Sequence, residues 1–209
     1  MRNPTPAGKV RPDPALRFLA PRDDPLGAAI AHGPSRCSLQ LAAWQRHDIF
    51  VLDGSVHTHD TALISSDYLS MPGPLDLVWA SDATALILSE PLDPGAGIEL
   101  VRSYERRWRM GAVEGLAVCD LRIASTSIAL VQWCPGVVVT THDHPHGEEI
   151  YVLDGRLLNA PDTMQAGDWV RLTPGMRHAP SADEPTLILL RNGHLKGLRP
   201  SAGSSDWSC

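Results

Sequence analysis

The segment from Gly136 to Gly155 reads GVVVTTHDHPHGEEIYVLDG, and it concentrates side chains that are well suited to hold a metal ion. His142, His144 and Glu148 all fall within it. Alternate residues of a strand point to one side, so the two histidines share a face. The Pro-His-Gly turn that follows allows the chain to return, and Glu148 then begins the next strand opposite them. The spacing therefore predicts that the three side chains meet.

A fourth candidate ligand lies further along the chain. In GDWVRLTPGMRHAP, the pair Pro174-Gly175 turns the chain and His178 follows. Three imidazoles and one carboxylate, with open positions left for water or a ligand, form a site for one divalent transition metal. This donor set accepts zinc, iron, manganese and nickel. Zinc and iron are the foremost candidates, and manganese and nickel are the alternatives. The predicted metal ligands are His142, His144, Glu148 and His178.

The elements that carry these residues occur twice in the chain. IFVLDG at 49–54 and IYVLDG at 150–155 lie 101 residues apart. The same spacing aligns Asp67 with Asp168, and the run Leu86–Leu88 with the run Leu187–Leu189. We therefore predict two copies of one unit. The predicted boundaries are a loose segment 1–13, a first unit 14–92, a connector 93–111, a second unit 112–196 and a loose tail 197–209.

Both units have the sequence texture of β-structure. Runs rich in Val, Ile, Thr and Leu, such as IFVLDGSV, TALILSE, GLAVCDLRIA, TSIALVQW and IYVLDGRLL, alternate with turn signals such as Asp-Gly. Short strands at this spacing predict an all-β protein made of antiparallel barrels or jelly rolls. In the connector, Leu100, Val101, Tyr104 and Trp108 fit a short helical face, and an edge strand with a loop is the alternative.

The composition limits the classes of partner. The formal charge is −6, which argues against nucleic acid or an anionic membrane as the main partner. No run of about eighteen apolar residues is present, so we expect no membrane span. The start MRNPTPAGKVRPDP lacks the apolar core of a secretory signal, which predicts a cytoplasmic protein. The cysteines are widely spaced and are expected to be reduced: Cys37, Cys119, Cys134 and Cys209.

At the candidate metal ligands the sequence resembles the cupin superfamily. The cupin motif G-x5-H-x-H-x3/4-E-x6-G is matched by Gly136, His142, His144, Glu148 and Gly155. The combination of PG, GEEIYVLDG, GDWVR and PGMRHAP resembles the cupin module of ChrR-type anti-sigma factors and the two-cupin proteins related to them. The resemblance implies tandem cupin barrels, that is, a bicupin of double-stranded β-helix or jelly-roll type.

Two departures from the family pattern shape the expectations. The repeat places Leu41, Ala43 and His47 where the second unit has His142, His144 and Glu148, with Leu77 or Asp76 in place of His178. The first unit is therefore predicted to be metal-free and structural. Only residues 1–13 precede it, with no room for the helical zinc domain by which ChrR-type proteins bind a sigma factor. A sigma factor is therefore not expected as a partner.

Further residues near the ligands have weaker assignments. His146 lies in the turn at the rim of the site and is a candidate contact for a bound ligand, as are Tyr151 and Arg171. Glu149 is expected to point away from Glu148 and to form a surface ion pair. Cys134 is expected to be a small buried apolar residue. His57 and His59 are expected to be solvated loop histidines.

Three functions remain open from the sequence. The first is a small-molecule enzyme, since the resemblance implies non-haem metal dioxygenases and related lyases or isomerases. The second is a ChrR-like metal-dependent sensor or regulatory module. The third is a structural bicupin in which zinc only stabilises the barrel. We expect a small organic molecule as the partner of the second barrel, and exposed edge strands allow a homodimer. No residue beyond the metal ligands stands out as a general base or nucleophile.

Overall fold

A computed structural model describes residues 13–93 and 97–196. The loose segments expected at 1–13 and 197–209 therefore lie outside the described residues, apart from Asp13. The chain divides into two compact units, residues 1–98 and 99–209. This division falls inside the segment 93–111 that the sequence assigns to a connector.

The first unit consists of two antiparallel sheets. Its described strands are β1 (Ala15–Phe18), β2 (Ala28–Gly33), β3 (Ser38–Leu41), β4 (Gln45–Asp53), β5 (Ser55–His57), β6 (Ala62–Ile64), β7 (Tyr68–Pro72), β8 (Leu75–Trp79) and β9 (Ala83–Pro91). One sheet contains the order β1-β2-β9-β4-β7, and the other has the order β3-β8-β5-β6. Apolar residues of both sheets, among them Ile49, Ile87, Val56 and Leu77, form one buried core.

The second unit repeats this arrangement. Its strands are β10 (Glu99–Val101), β11 (Arg109–Met110), β12 (Leu116–Arg122), β13 (Ser127–Trp133), β14 (Val137–Val138), β15 (His142–Asp143), β16 (Glu148–Asp154), β17 (Arg156–Asn159), β18 (Asp162–Gln165), β19 (Trp169–Leu172), β20 (Arg177–His178), β21 (Ser181–Ala182) and β22 (Thr186–Asn192). The sheet orders are β11-β12-β13-β22-β16-β19, β14-β21-β17-β18 and the pair β15-β20. Ile150, Val152, Leu157 and Ile188 belong to a core of its own. The predicted all-β architecture of tandem jelly rolls is confirmed.

The repeated hexamer occupies the same place in both units. In each, the long strand carries a register irregularity, between Val51 and Asp53 in β4 and between Val152 and Asp154 in β16. The glycine that ends each hexamer, Gly54 and Gly155, has a φ of +75°. Glycine adopts this left-handed backbone conformation without a steric penalty, which explains why the Asp-Gly pair appears twice.

The repeat loses its constant spacing after β7 and β19. Ile49 pairs with Ile87, whereas Ile150 pairs with Leu190. Corresponding residues of β9 and β22 therefore lie two positions further apart in the chain than the repeat of 101 residues suggests. The predicted alignment of Leu86–Leu88 with Leu187–Leu189 was therefore wrong by two positions. The extra residues lie in the turn before β20, which is longer than the Pro72–Pro74 turn before β8.

A tryptophan fills one end of each core, but from different strands. Trp79 in β8 is 1% exposed, and its indole N–H donates to the Ala83 carbonyl at 2.9 Å. The strand pairings place Ala182 at the corresponding position of the second unit. There Trp133 in β13 is buried instead, where the first unit has Gly33. The bulky and the small residue have exchanged strands between the two cores.

The connector is mainly extended. It contains β10, a single 3-10 turn at Ser103–Glu105 and β11, which pairs with β12. The edge-strand alternative is thus the one observed, and the helical face is reduced to that one turn. Within residues 13–93 and 97–196, no helix is long and apolar enough to cross a bilayer.

Candidate metal centre

Short strands and tight turns at one end of the second barrel bring the predicted ligands together. His142 in β15 and His178 in β20 are direct cross-strand partners. Glu148 is the first residue of β16 and is 2% exposed. Gly147, just before it, has a φ of +69°, and its N–H donates to the His144 carbonyl at 3.0 Å. This glycine turn returns the chain so that Glu148 faces the histidines.

The four side chains converge through the atoms that bind metals. Nε2 of His178 lies 3.0 Å from Nε2 of His142 and 3.2 Å from Nε2 of His144. The Glu148 carboxyl oxygens lie 3.3 Å from Nε2 of His144 and 3.5 Å from Nε2 of His178. Two neighbouring nitrogen or oxygen donors on one metal at about 2.1 Å are themselves about 3.0–3.4 Å apart. The spacing of the three imidazole nitrogens therefore fits a single ion, and the Glu148 carboxyl group lies beside two of them.

Hydrogen bonds fix how the donors are presented. Nδ1 of His142 donates to the Thr140 carbonyl at 2.9 Å, because a carbonyl oxygen can only accept. Its Nε2 therefore keeps a free lone pair directed at the cluster. Oε2 of Glu148 is buried without a hydrogen-bond partner. A buried polar atom without a partner is costly, and a cation between the donors would satisfy it.

The pKa values of the cluster indicate a site adapted to neutral imidazoles. Burial, followed by the neighbouring His142 and His144, lowers the pKa of His178 to about 3. Burial and His142 likewise lower the pKa of His144. Burial raises the pKa of Glu148 to about 8. Neutral imidazoles are the form that binds metal, whereas the carboxyl group must lose its proton to do so.

The three candidate ligand contacts lie in different places. His146 is exposed in the turn between the ligands, and its backbone carbonyl accepts from the Leu195 N–H at 3.0 Å. Tyr151 and Arg171 pair across β16 and β19 with Trp169 and Glu149, on the sheet face opposite to Glu148. We therefore keep only His146 as a proposed contact of a ligand bound at the cluster.

A second cluster of charges, absent from the sequence-based expectations, surrounds Glu149. This residue is 2% exposed and bonds to Arg171, to Arg191 (Nε–Oε2, 2.8 Å) and to His194, whose Nε2 lies 3.3 Å from Oε1. Glu149 does form ion pairs, but the expectation that they lie on the surface was wrong. Arg191 and His194 are more than forty residues away in the chain, so only the pairing of β16 with β22 reveals the cluster.

The thiol expectations have mixed outcomes. Cys37, Cys119 and Cys134 are free thiols, and Cys209 lies outside the described residues. Cys134 is exposed in the turn before β14, so the expectation that it is buried was wrong.

His59 of the first unit is solvated, as expected. Its side chain is 94% exposed, and its Nδ1 lies 2.6 Å from Oδ1 of Asp60.

The first unit carries different side chains at the positions that correspond to the ligands. Leu41 in β3 pairs with Leu75 in β8, just as His142 pairs with His178. The structural counterpart of His178 is thus Leu75, and the expected counterparts Leu77 and Asp76 were wrong because of the two-residue difference in the preceding turn. His47, at the position of Glu148, is buried and bonds through Nδ1 to Ser89 Oγ and through Nε2 to the Ala42 carbonyl, both at 2.9 Å.

The second unit is similar to a known domain family. Residues 97–196, just under half of the chain, match the sequence model of the ChrR Cupin-like domain. None of the curated proteins matches this chain in sequence.

Solved structures share the fold of this chain over most of its length. A proposed dioxygenase from Nostoc punctiforme has a TM-score of 0.71 at 15% identity, over 91% of this chain and 80% of that one. The protein Ylba from E. coli has a TM-score of 0.68 at 14% identity, over 85% and 81%. Oxalate decarboxylase from Bacillus subtilis, which has Mn(II) centres, has a TM-score of 0.67 at 14% identity, over 90% and 75%. At these identities the likeness establishes the fold.

Proposed function

We propose that the second barrel is the active site of a metal-dependent enzyme acting on a small organic molecule. His142, His144, His178 and Glu148 would hold one divalent transition metal. The observation that carries the proposal is the convergence of three Nε2 atoms, with a buried carboxyl group 3.3 and 3.5 Å from two of them.

The bound metal would supply Lewis acidity or redox chemistry at positions left open by the protein ligands. The residues of the chain have separate roles. The Thr140 carbonyl orients the His142 ring, and the Gly147 turn positions His144 and Glu148. His146, exposed beside the ligands, would contact the bound molecule. Iron and a dioxygenase-type reaction are our first choice, which the fold of the proposed Nostoc dioxygenase supports.

Metal content tests the first part of this proposal. Elemental analysis of the purified protein should find about one transition-metal ion per chain, and His142→Ala and His178→Ala should lower that content strongly. His59→Ala changes a fully solvated histidine of the first unit and serves as the control, with unchanged content. Equal metal content in the parent and the two ligand variants would exclude the site.

Oxygen consumption tests the second part. The iron(II)-loaded protein should consume oxygen with at least one member of a panel of β-dicarbonyl and hydroxyketone compounds, and His178→Ala should not. Metal uptake without any turnover would leave the metal site standing but contradict the enzyme.

A sensor function is the second candidate, favoured by the match of residues 97–196 to the ChrR Cupin-like domain. Binding of a ligand or oxidant at the metal would then alter a protein-binding surface. Affinity capture from a lysate with metal-loaded and chelated protein should recover a partner in only one of the two states. Recovery of the same proteins in both states would contradict the sensor.

A further inference from the structure

The first barrel contains a cavity of about 380 Å³, within the range of about 300–1,000 Å³ in which small molecules bind. It opens between the two sheets, with Leu16 and Phe18 of β1 on one side and Leu39 and Leu41 of β3 on the other. Leu41 is the counterpart of His142, as shown by its pairing with Leu75. The cavity therefore reaches the part of the first barrel that corresponds to the metal centre of the second.

Small residues create this space. Gly27, Ala28 and Ala29 line the cavity at the start of β2, and a larger side chain in place of Ala29 would fill it. Ala29 pairs with Phe18 on one side and with Ile87 on the other. All three share one face of the sheet, because directly paired residues of neighbouring strands point to the same side. The floor of the cavity is thus one alanine between two large apolar neighbours.

The walls are apolar and partly open to solvent. Trp44 is 63% exposed, Phe18 43% and Leu16 39%, although each is a large apolar side chain. Exposed apolar groups that gather around one concavity mark binding sites, whereas single scattered ones do not. Aromatic walls also favour a ring-shaped ligand, since stacked or edge-on rings add attraction beyond the buried area.

Several polar groups at the cavity already have hydrogen-bond partners. The Ser89 hydroxyl bonds to Nδ1 of His47, and the Gln45 amide donates to the Pro25 carbonyl at 3.0 Å. At the rim, the Arg22 guanidinium lies 5.4 Å from the centre of the Phe18 ring, and Oδ1 of Asp24 accepts from the Leu26 N–H. The charged lining residues Arg22, Asp23 and Asp24 have mixed sign and are exposed or half-buried, so solvent screens them. The apolar walls would strip the hydration from a charged ligand and therefore favour an uncharged one.

We propose that the first barrel is a metal-independent binding site for a small uncharged molecule with an aromatic ring, held between Trp44, Phe18 and Leu41. The two barrels of this chain then bind by different chemistry, imidazoles in the second and apolar walls in the first. This inference does not depend on the proposed function of the second barrel.

Fluorescence titration of the full-length protein with N-phenyl-1-naphthylamine, an uncharged apolar probe, tests the proposal. Binding should saturate at about one probe per chain and should be the same with a chelator or with added zinc. Trp44→Ala should weaken binding about tenfold, the loss expected for one aromatic wall. Ala29→Phe should abolish it by filling the cavity.

Trp108→Ala is the matched control, because Trp108 is also an exposed tryptophan (40%) but belongs to the second unit and is not among the residues that line the cavity. It should leave the probe affinity unchanged. Because Trp44 is largely solvated, its substitution keeps the test valid even if Ala29→Phe does not fold. Non-saturating binding, equal affinity in Trp44→Ala and the parent, or displacement of the probe by zinc would overturn the proposal.

Discussion

Glu148 and Glu149 are adjacent in β16 and point to opposite faces of the sheet, and their pKa values move in opposite directions. Burial raises the pKa of Glu148 to about 8. Burial acts on Glu149 in the same sense, but Arg191, His194 and Arg171 outweigh it and hold the pKa at about 2. At neutral pH the first carboxyl group keeps its proton until a cation replaces it, whereas the second is a permanent anion.

Metal binding should therefore release a proton. Near pH 7 Glu148 is mostly protonated without metal, while His178, with a pKa of about 3, is already neutral. Titration calorimetry with zinc in buffers of different ionisation enthalpy should reveal about one released proton per ion. Glu148→Gln has no proton to release and serves as the control. Identical heats in all buffers for the parent protein would contradict the prediction.

The stability of the chelated protein should fall between about pH 6.5 and pH 8. The raised pKa of Glu148 gives a contribution that is fully present below its ordinary value of 4.5 and is lost as pH rises to about 8. The lowered pKa of His178 acts oppositely, but only between about 3 and its ordinary 6.5. Thermal unfolding followed by circular dichroism should show a Tm that declines across this window with chelator and rises with zinc. A rising Tm in both conditions would refute this assignment.

Glu149→Ala should destabilise the protein severely. It leaves Arg191, which is fully buried, without its carboxylate, and breaking a buried pair typically costs about 3–5 kcal/mol. Asp183→Ala breaks the exposed ion pair with Arg156, which solvent screens, and should have little effect on stability. Urea unfolding of both variants measures the difference. A similar loss in the two variants would show that the buried cluster contributes no more than a surface pair.

Gly155→Ala should be more damaging than Gly136→Ala, although both glycines have a positive φ, +75° and +83°. A Cβ on Gly155 would lie 2.3 Å from the Pro185 carbonyl oxygen, while one on Gly136 meets nothing within 4 Å. The left-handed backbone alone costs about 1–2 kcal/mol, so the clash should add to that at Gly155 only. Arg36 occupies the position of Gly136 in the equivalent turn of the first unit and has a φ of 76°, so a side chain is accepted at this position. Equal unfolding free energies for the two variants would contradict the prediction.

The sequence predicts most of the fold and places the candidate ligands because their signals are local. The His-x-His spacing sets two imidazoles on one strand face, and Pro174-Gly175 marks the turn before His178. The alternation along β16 also separates Glu148 from Glu149, whereas the position of Arg171 beside Glu149 follows from the register between β16 and β19.

The remainder depends on pairings between distant strands. A longer turn before β20 moves the counterpart of His178 to Leu75, and a repeat of constant spacing does not show this shift. Arg191 on β22 and His194 just after it lie far along the chain from Glu149. A lone glutamate beside a metal ligand gives no sign of a buried arginine. Cys134 lies in a turn, where an apolar flank is a poor guide to burial.

The exchange of Trp79 and Gly33 in one core for Ala182 and Trp133 in the other limits how the halves can be recombined. A chimera that takes β13 into the first unit would place an indole at position 33, where even a Cβ would lie 3.1 Å from Cys37 Sγ and from Pro14 Cβ. A chimera that takes β21 there would replace the buried Trp79 by alanine. Single strands can therefore not be exchanged between the two units. A substitution of the tryptophan in either core would need a matching substitution of the small residue on the other strand.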